Sequence, residues 1–236
     1  TVANSFDHFK QRLGIETDNT VVWYSPFDYA KQAVMYVPES LPDPTEPEYT
    51  EAVVEKALPI IEASQGGVFF LFTSHKALQQ SAEILDSDLY VPLMVQGDKP
   101  RDVLLSEFRH RGNAVLLGTS SFWEGVDVRG EALTCVIIDK LPFASPGDPV
   151  LKARIDTMRK QGGNPFMDFQ LPTAVITLKQ GAGRLIRDVN DRGVLMLCDP
   201  RLITKSYGKI FLDSLPTMMK TRNQQKVEGF LRIKPA

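Results

Sequence analysis

Short hydrophobic runs alternate with helical patterns along most of this chain. The runs are apolar throughout, which is typical of strands buried on both faces of a sheet. They lie at residues 66–74 (GGVFFLFTS), 93–97 (LMVQG), 114–119 (AVLLGT), 135–139 (CVIID) and 193–199 (GVLMLCD). Apolar residues at helical spacing predict helices at 49–64, 76–85, 102–111, 148–160 and 172–188. The alternation predicts an α/β fold, a three-layer sandwich with a mostly parallel central sheet.

The first fifty residues have a different pattern. Residues 5–14 predict a short amphipathic helix, and residues 21–24 (VVWY) and 33–37 (AVMYV) predict short strands. Residues 38–50 contain four prolines and predict an extended loop. The sequence begins without methionine and without the layout of a signal peptide, so we expect it to be part of a longer protein.

Composition adds little evidence for a particular partner. The net charge is −2, so any DNA binding must depend on a local patch. Residues 179–222 contain nine Lys and Arg against four acids, an excess that suits either a phosphate-binding face or ordinary solvated surface. Cys135 and Cys198 lie in apolar runs and predict buried thiols, which favours the cytoplasm. No apolar stretch approaches the roughly 20 residues that span a membrane.

The sequence lacks both common phosphate-binding loops. There is no G-x-x-x-x-G-K-[ST] loop after a strand and no G-x-G-x-x-G that opens a helix. Three separated histidines and two isolated cysteines provide no spacing for a zinc or iron–sulfur site. We therefore expect no metal site in this chain.

Four polar segments directly follow predicted strands: FTSH, QGDKP, GTSSFWEGVD and DKLPF. In parallel α/β sheets the working residues gather in such loops. In the first segment, Thr73, Ser74 and His75 open a helix, and a helix N-terminus with hydroxyl groups can bind a phosphate. The alternative is that Ser74 simply caps the helix.

The segment at residues 118–130 (GTSSFWEGVDVRG) also combines groups that suit nucleic acid or nucleotide. Thr119 and Ser120 can hold a backbone phosphate, Trp123 can stack on a base, and Asp127 can accept a hydrogen bond from a ribose hydroxyl. The alternative places Phe122 and Trp123 in the core, and for an isolated Phe-Trp pair it is the better supported interpretation.

The segment QGAGRLIRD at residues 180–188 is the most informative. Gln180, Arg184 and Arg187 are spaced to share one face of a helix, and arginines bind phosphate oxygens in a fork. Such a face suits the γ-phosphate of a nucleotide supplied by another domain. The alternative is a surface helix whose arginines pair with Asp188 and Asp191.

Two glycines lie in the same segment. Gly181 and Gly183 each destabilise a helix by about 1 kcal/mol relative to alanine. We therefore expect a close approach at this point, and we include Gly183 among the candidate nucleotide-binding residues.

In this order the segments resemble motifs of superfamily two helicases. FLFTSH resembles motif IV, GTSSFWEGVDVRG resembles motif V, and QGAGRLIR resembles motif VI. Residues 139–149 (DKLPFASPGDP) and 199–216 (DPRLITKSYGKIFLDSLP) are similar to the DinG/XPD type. The resemblance covers nearly the whole chain and implies the second RecA-like motor domain of a DNA helicase.

The resemblance implies roles for individual residues. Arg184 and Arg187 would be arginine fingers, and Gln180 would sense the γ-phosphate. Asp127 would contact the ribose, while Glu124 and Gly125 would shape that interface. Thr73, Ser74 and Thr119 would hold the DNA backbone.

The resemblance also implies cofactors and partners. ATP and Mg²⁺ would be shared with a first motor domain outside this chain, which would also carry a [4Fe–4S] cluster. The full protein would move 5′→3′ on single-stranded DNA in repair and replication, whereas this chain alone would not hydrolyse ATP. The chi subunit of the DNA polymerase III clamp loader is a further expected partner.

The expected domain organisation has three parts. Residues 1–50 would join the first motor domain, residues 51–216 would form the RecA-like domain, and residues 217–236 would form a C-terminal tail. The tail carries Val227 and Phe230 and is our candidate for docking on chi, which would make the chain a non-catalytic docking module. The alternative is a helix that packs on its own domain.

Overall fold

The computed structural model describes residues 2, 5–16, 19–23, 25–123, 132–145 and 147–233. Within these ranges seven strands form one sheet, and each neighbouring pair is parallel. The strands are β1 (Ala33–Tyr36), β2 (Val68–Leu71), β3 (Leu93–Val95), β4 (Val115–Gly118), β5 (Cys135–Ile138), β6 (Gly193–Leu197) and β7 (Met219–Thr221). Their order across the sheet is β3-β4-β2-β5-β6-β1-β7. The predicted α/β fold with a parallel central sheet is confirmed.

Helices cover both faces of the sheet. They are α1 (Asp7–Leu13), α2 (Tyr29–Gln32), α3 (Tyr49–Ser64), α4 (His75–Asp88), α5 (Arg101–Arg111), α6 (Ser120–Trp123), α7 (Pro149–Lys160), α8 (Leu171–Ala182), α9 (Arg201–Thr204), α10 (Gly208–Ser214) and α11 (Gln224–Arg232). A π-helical turn, Phe166–Gln170, precedes α8. α3, α4 and α11 pack on one face, and α5, α6, α8 and α10 pack on the other. In the described ranges no helix has both the length and the apolar character needed to cross a membrane.

The strands are buried on both faces, as their sequences predict. Phe69 and Leu71 of β2 belong to the core beneath α5 and α8, whereas Val68 and Phe70 belong to the core beneath α3 and α4. Successive side chains of a strand point to opposite faces, so a strand between two helical layers must be apolar at every position.

The N-terminal segment contributes a strand to the interior of the sheet. β1 pairs with β6 on one side and with β7 on the other, so the sheet extends across the boundary expected at residue 50. The strand predicted at residues 21–24 is wrong for its described part, because residues 21–23 have no strand structure and Trp23 is 88% exposed. A strand needs a paired neighbour as well as an apolar sequence.

The C-terminal segment also packs on the domain. β7 forms one edge of the sheet, and α11 packs against α3. Val227 of α11 is fully buried, while Phe230 and Leu231 pack partly buried against the same core. This arrangement matches the alternative in which the last helix covers its own domain, because the apolar side chains expected to dock on a partner face inward.

Candidate nucleic-acid and nucleotide interface

Polar side chains gather where five neighbouring strands end. All strands are parallel, so their carboxyl ends lie along one edge of the sheet. The first residues after β3, β4 and β5 are Gln96, Thr119 and Asp139, and the second residues after β2 and β6 are Thr73 and Asp199. All five side chains are connected to a neighbouring loop by hydrogen bonds, and together they form the candidate interface.

Thr73 is attached to a buried carboxylate. Its backbone N–H donates to Asp139 Oδ1 at 3.0 Å and its hydroxyl donates to Asp139 Oδ2 at 3.4 Å. The N–H of Lys140 donates to the same Oδ1 at 2.6 Å. Asp139 is only 2% exposed, and burial raises the pKa of its carboxyl to about 7, against the opposing effect of these N–H donors and the Lys140 charge.

Ser74 and His75 open helix α4. The Ser74 hydroxyl accepts the N–H of Ala77 at 3.2 Å, so Ser74 is the N-cap, as the alternative interpretation proposed. His75 lies 3.4 Å from the Thr119 hydroxyl through Nε2. Both side chains remain exposed, so the capped N-terminus of a long helix is accessible at this edge.

Thr119 is held by a residue that the sequence did not single out. Its backbone N–H and its hydroxyl both donate to Gln96 Oε1, at 2.6 and 3.1 Å, and Thr119 is only 4% exposed. The expected direct contact of Thr119 with a phosphate therefore does not fit this arrangement, because both of its donors are already used. Gln96 directly follows β3, and this position was the sequence feature that could have identified it. The N–H groups of its side-chain amide remain available at this edge as donors.

Trp123 belongs to the core. It is 2% exposed, and its Nε1 donates to the carbonyl of Phe72 at 3.2 Å. Stacking of Trp123 on a DNA base was therefore a wrong prediction, and the core alternative is confirmed. A Cβ atom on Gly181 would lie 3.0 Å from Trp123 Cε3, so this indole explains the close approach expected at Gly181.

The motif VI segment is not one continuous helix. α8 ends at Ala182, so Gln180, Arg184 and Arg187 do not share a helical face, and that prediction was wrong. Gln180 is exposed in the last turn of α8, and Gly183 is the exposed residue after it. The two glycines weaken the helix at this point.

The two arginines have different environments. Arg184 is only 5% exposed, and its Nη2 donates to the carbonyl of Trp123. The outward orientation expected for Arg184 is therefore wrong in this structure. Arg187 is half-buried. Its backbone N–H donates to Asp191 Oδ2 at 2.7 Å, and the N–H of Asp188 donates to the same oxygen at 2.8 Å.

Comparison with known proteins identifies the family. Residues 57–218 match the family model of the helicase C-terminal domain. The chain belongs to this family. It is 49% identical over 99% of its length to the ATP-dependent DNA helicase YoaA of Haemophilus influenzae, and 36% identical over 98% to the ATP-dependent helicase DinG of Mycobacterium tuberculosis. The chain spans 36% of the length of each of these relatives.

The solved structure of XPD in its apo form has a similar fold. Its TM-score is 0.61 at 20% sequence identity, and the match covers 81% of this chain and 40% of that chain. The family match and this fold confirm the expected DinG/XPD-like helicase C-terminal region with a RecA-like architecture.

Part of the site of this helicase C-terminal domain lies outside the described residues. Glu124, Gly125 and Asp127 fall in the range 124–131, and the side chain of Ser120 is likewise not described. Their expected roles stay predictions.

A second buried carboxylate supports the loop after β5. Asp199 accepts the N–H of Leu141 at 2.8 Å and forms an ion pair with Arg201 at 2.6 Å. The hydroxyl of Tyr49 donates to the backbone carbonyl of Asp139 at 2.6 Å. These contacts fix residues 139–141 of the helicase C-terminal domain beneath Thr73. Sequence reasoning indicated the segment DKLPF but not these individual residues.

Proposed function

We propose that this chain is the second motor domain of an ATP-dependent DNA helicase that moves 5′→3′ on single-stranded DNA in repair and replication. The observation that carries the proposal is the family match over residues 57–218. It is supported by the row of hydrogen-bonding groups along the carboxyl edge of the sheet, where ligands of α/β domains bind. The relatives named above are ATP-dependent helicases.

Single-stranded DNA is proposed to lie along this edge. Thr73, Ser74 and His75 are exposed at the N-terminus of α4, where backbone N–H groups and the helix dipole favour a phosphate. Gln96 would add its amino group. Thr119 would act by holding Gln96, and Ser120 stays a predicted contact. These groups contact phosphate rather than base, which suits movement along any sequence.

ATP is proposed to bind between this domain and a first motor domain outside the chain. Arg187 and Gln180 would approach the γ-phosphate, while Arg184 would support them by holding the end of α6. Glu124, Gly125, Asp127 and Gly183 stay predicted nucleotide contacts. In the described ranges no group of three or more His, Cys, Asp or Glu side chains is placed to hold a metal ion. Mg²⁺ is proposed to be shared with the first motor domain, and the expected [4Fe–4S] cluster is proposed to lie in that domain.

The chi subunit stays a predicted partner. Residues 217–233 form an edge strand and a helix whose buried residues face the domain, so a partner there would contact the outer face of α11. No observation favours a purely non-catalytic docking function over the motor function.

The test measures phosphate release with single-stranded DNA and ATP. The full protein should hydrolyse ATP, and this chain alone should not, because it lacks a loop for the β-phosphate and Mg²⁺. In the full protein Arg187→Ala should lower turnover about 10³-fold or more, which is the magnitude of an arginine finger. DNA affinity should change little.

Arg159→Ala is the matched control, because Arg159 is exposed on α7 and its contact with Asp156 is long, at 3.8 Å. It should keep full turnover. Robust hydrolysis by this chain alone would contradict the proposal that the first motor domain is needed to bind ATP. Normal turnover in Arg187→Ala would contradict the proposed role of Arg187 at the γ-phosphate.

A further inference from the structure

The Thr73 hydroxyl donates a hydrogen bond within the protein, although the proposed function requires it to donate to a DNA phosphate. It donates its single proton to Asp139 Oδ2 at 3.4 Å. A phosphate oxygen only accepts hydrogen bonds, so the hydroxyl cannot donate to DNA and to the carboxylate at the same time. An ionised Asp139 can only accept and therefore competes with the phosphate for this proton.

A protonated Asp139 removes the competition. Its Oδ2–H would donate to Thr73 Oγ1, and the Thr73 hydroxyl would then turn toward a phosphate oxygen. The other oxygen, Oδ1, would keep the N–H bonds from Thr73 and Lys140. The proton comes from hydronium or a buffer acid, whose bond to it breaks as the O–H bond of Asp139 forms, and no other covalent bond changes.

We propose that Asp139 is a positioning residue that takes up a proton when a DNA phosphate binds at Thr73. The proposal rests on the proposed function, since it assumes that Thr73 contacts the DNA backbone. Because Asp139 takes up this proton when DNA binds, the affinity for single-stranded DNA depends on pH.

The charges around Asp139 leave its protonation balanced near neutrality. Lys140 favours the ionised carboxylate, whereas Asp199 opposes it. On the remaining elements, Arg201 of α9 is paired with Asp199, and burial raises the pKa values of Tyr49 on α3 and Cys198 after β6, so both are neutral. With the pKa of Asp139 at about 7, protonation is accessible at physiological pH.

The direction of the effect follows from linkage. A phosphate beside Asp139 adds a negative charge and a competing acceptor, and both raise the pKa of Asp139 in the complex above its value in the free protein. Between these two pKa values binding takes up a proton, so affinity falls as pH rises above about 7. The slope approaches a tenfold loss of affinity per pH unit, since one proton is involved.

The experiment measures binding of fluorescently labelled oligothymidylate to the full protein by anisotropy, from pH 6.5 to 9 at constant ionic strength. The wild type should lose affinity with the slope given above. Asp139→Asn should bind with no such slope, because the amide donates to Thr73 at every pH. Asp156→Asn is the matched control, because it makes the same carboxylate-to-amide change at an exposed position on α7, away from this edge. It should keep the slope.

Calorimetry of the same binding at pH 8, in two buffers with different ionisation enthalpies, counts the protons directly. The wild type should take up close to one proton, which decides the question even if Asp139→Asn fails to fold. No uptake by the wild type, or an unchanged slope in Asp139→Asn, overturns the proposal. Thr73→Ala tests the proposed function separately: unchanged DNA affinity there would reject the Thr73 contact itself.

Discussion

Arg184 is a charged side chain that lies inside the domain. Its guanidinium donates to the carbonyl of Trp123, the last residue of α6. Trp123 in turn packs against Gly181 and donates to Phe72. Motifs V and VI are therefore connected through the core. A buried guanidinium needs such a partner, because an uncompensated charge in the interior is strongly unfavourable.

Arg184→Ala should therefore destabilise the fold. Removing the guanidinium leaves the Trp123 carbonyl without this donor, which should lower the free energy of unfolding by about 1–3 kcal/mol. Arg187→Ala should lower it less, because Arg187 is half-buried at the surface. Urea denaturation followed by tryptophan fluorescence measures both. Equal losses in the two variants would show that Arg184 has no special structural role.

At the scale of elements, α4 combines a structural and a proposed functional role at its first turn. Ser74 caps the helix while its exposed side chain faces the proposed path of the DNA. Capping and phosphate binding both use the free N–H groups of the first turn. These two roles can be separated by choosing substitutions that cap equally well but differ in charge.

Ser74→Asp should keep stability and weaken binding of single-stranded DNA. Aspartate caps as well as serine but places a negative charge beside the phosphate. Ser74→Ala should instead lower the free energy of unfolding by about 1 kcal/mol through the lost cap. Denaturation and anisotropy with the same oligonucleotide separate the two effects. Unchanged binding by Ser74→Asp would place the DNA elsewhere.

The sequence predicted most strands of the sheet, but it could not predict the end of α8 or the partners of β1. Buried strands are recognisable locally because every position is apolar. The last turn of α8 lies against Trp123, which approaches Gly181 from nearly 60 residues away, and such a contact is not visible in the local sequence. Likewise, only long-range pairing distinguishes residues 33–36, which form a strand, from residues 21–23, which do not.

For the candidate site, the sequence predicted the segments that form it but not the hydrogen bonds between them. The rule that polar residues act at strand ends identified the segments containing Thr73, Gln96 and Asp139. It could not show that the Thr119 hydroxyl donates to Gln96, or that the Thr73 hydroxyl donates to Asp139. Those facts depend on the distance between loops that are far apart in the chain.

For the whole molecule, the C-terminal helix completes the layer that α3 and α4 form on one face. Val227 is fully buried, whereas Ile233, one residue beyond the helix, is 63% exposed. The domain therefore extends to the end of α11.

Val227→Ala should lower the free energy of unfolding by about 1–3 kcal/mol, since it removes buried apolar surface and leaves a cavity. Ile233→Ala is the matched control and should change stability by less than about 0.5 kcal/mol. Urea denaturation of both variants gives the comparison. If neither variant changes stability, the last segment is a separate tail that is free to dock on a partner.

The position of β1 has a consequence for synthesis on the ribosome. β1 emerges early, but its neighbours β6 and β7 begin at Gly193 and Met219. At 5–20 residues per second, the interval between β1 and β6 is roughly 10 to 30 seconds. During that time an apolar strand has no partner and is open to pairing with other chains. We therefore expect the apolar residues of β1 to need shielding from other chains until β6 and β7 have been synthesised.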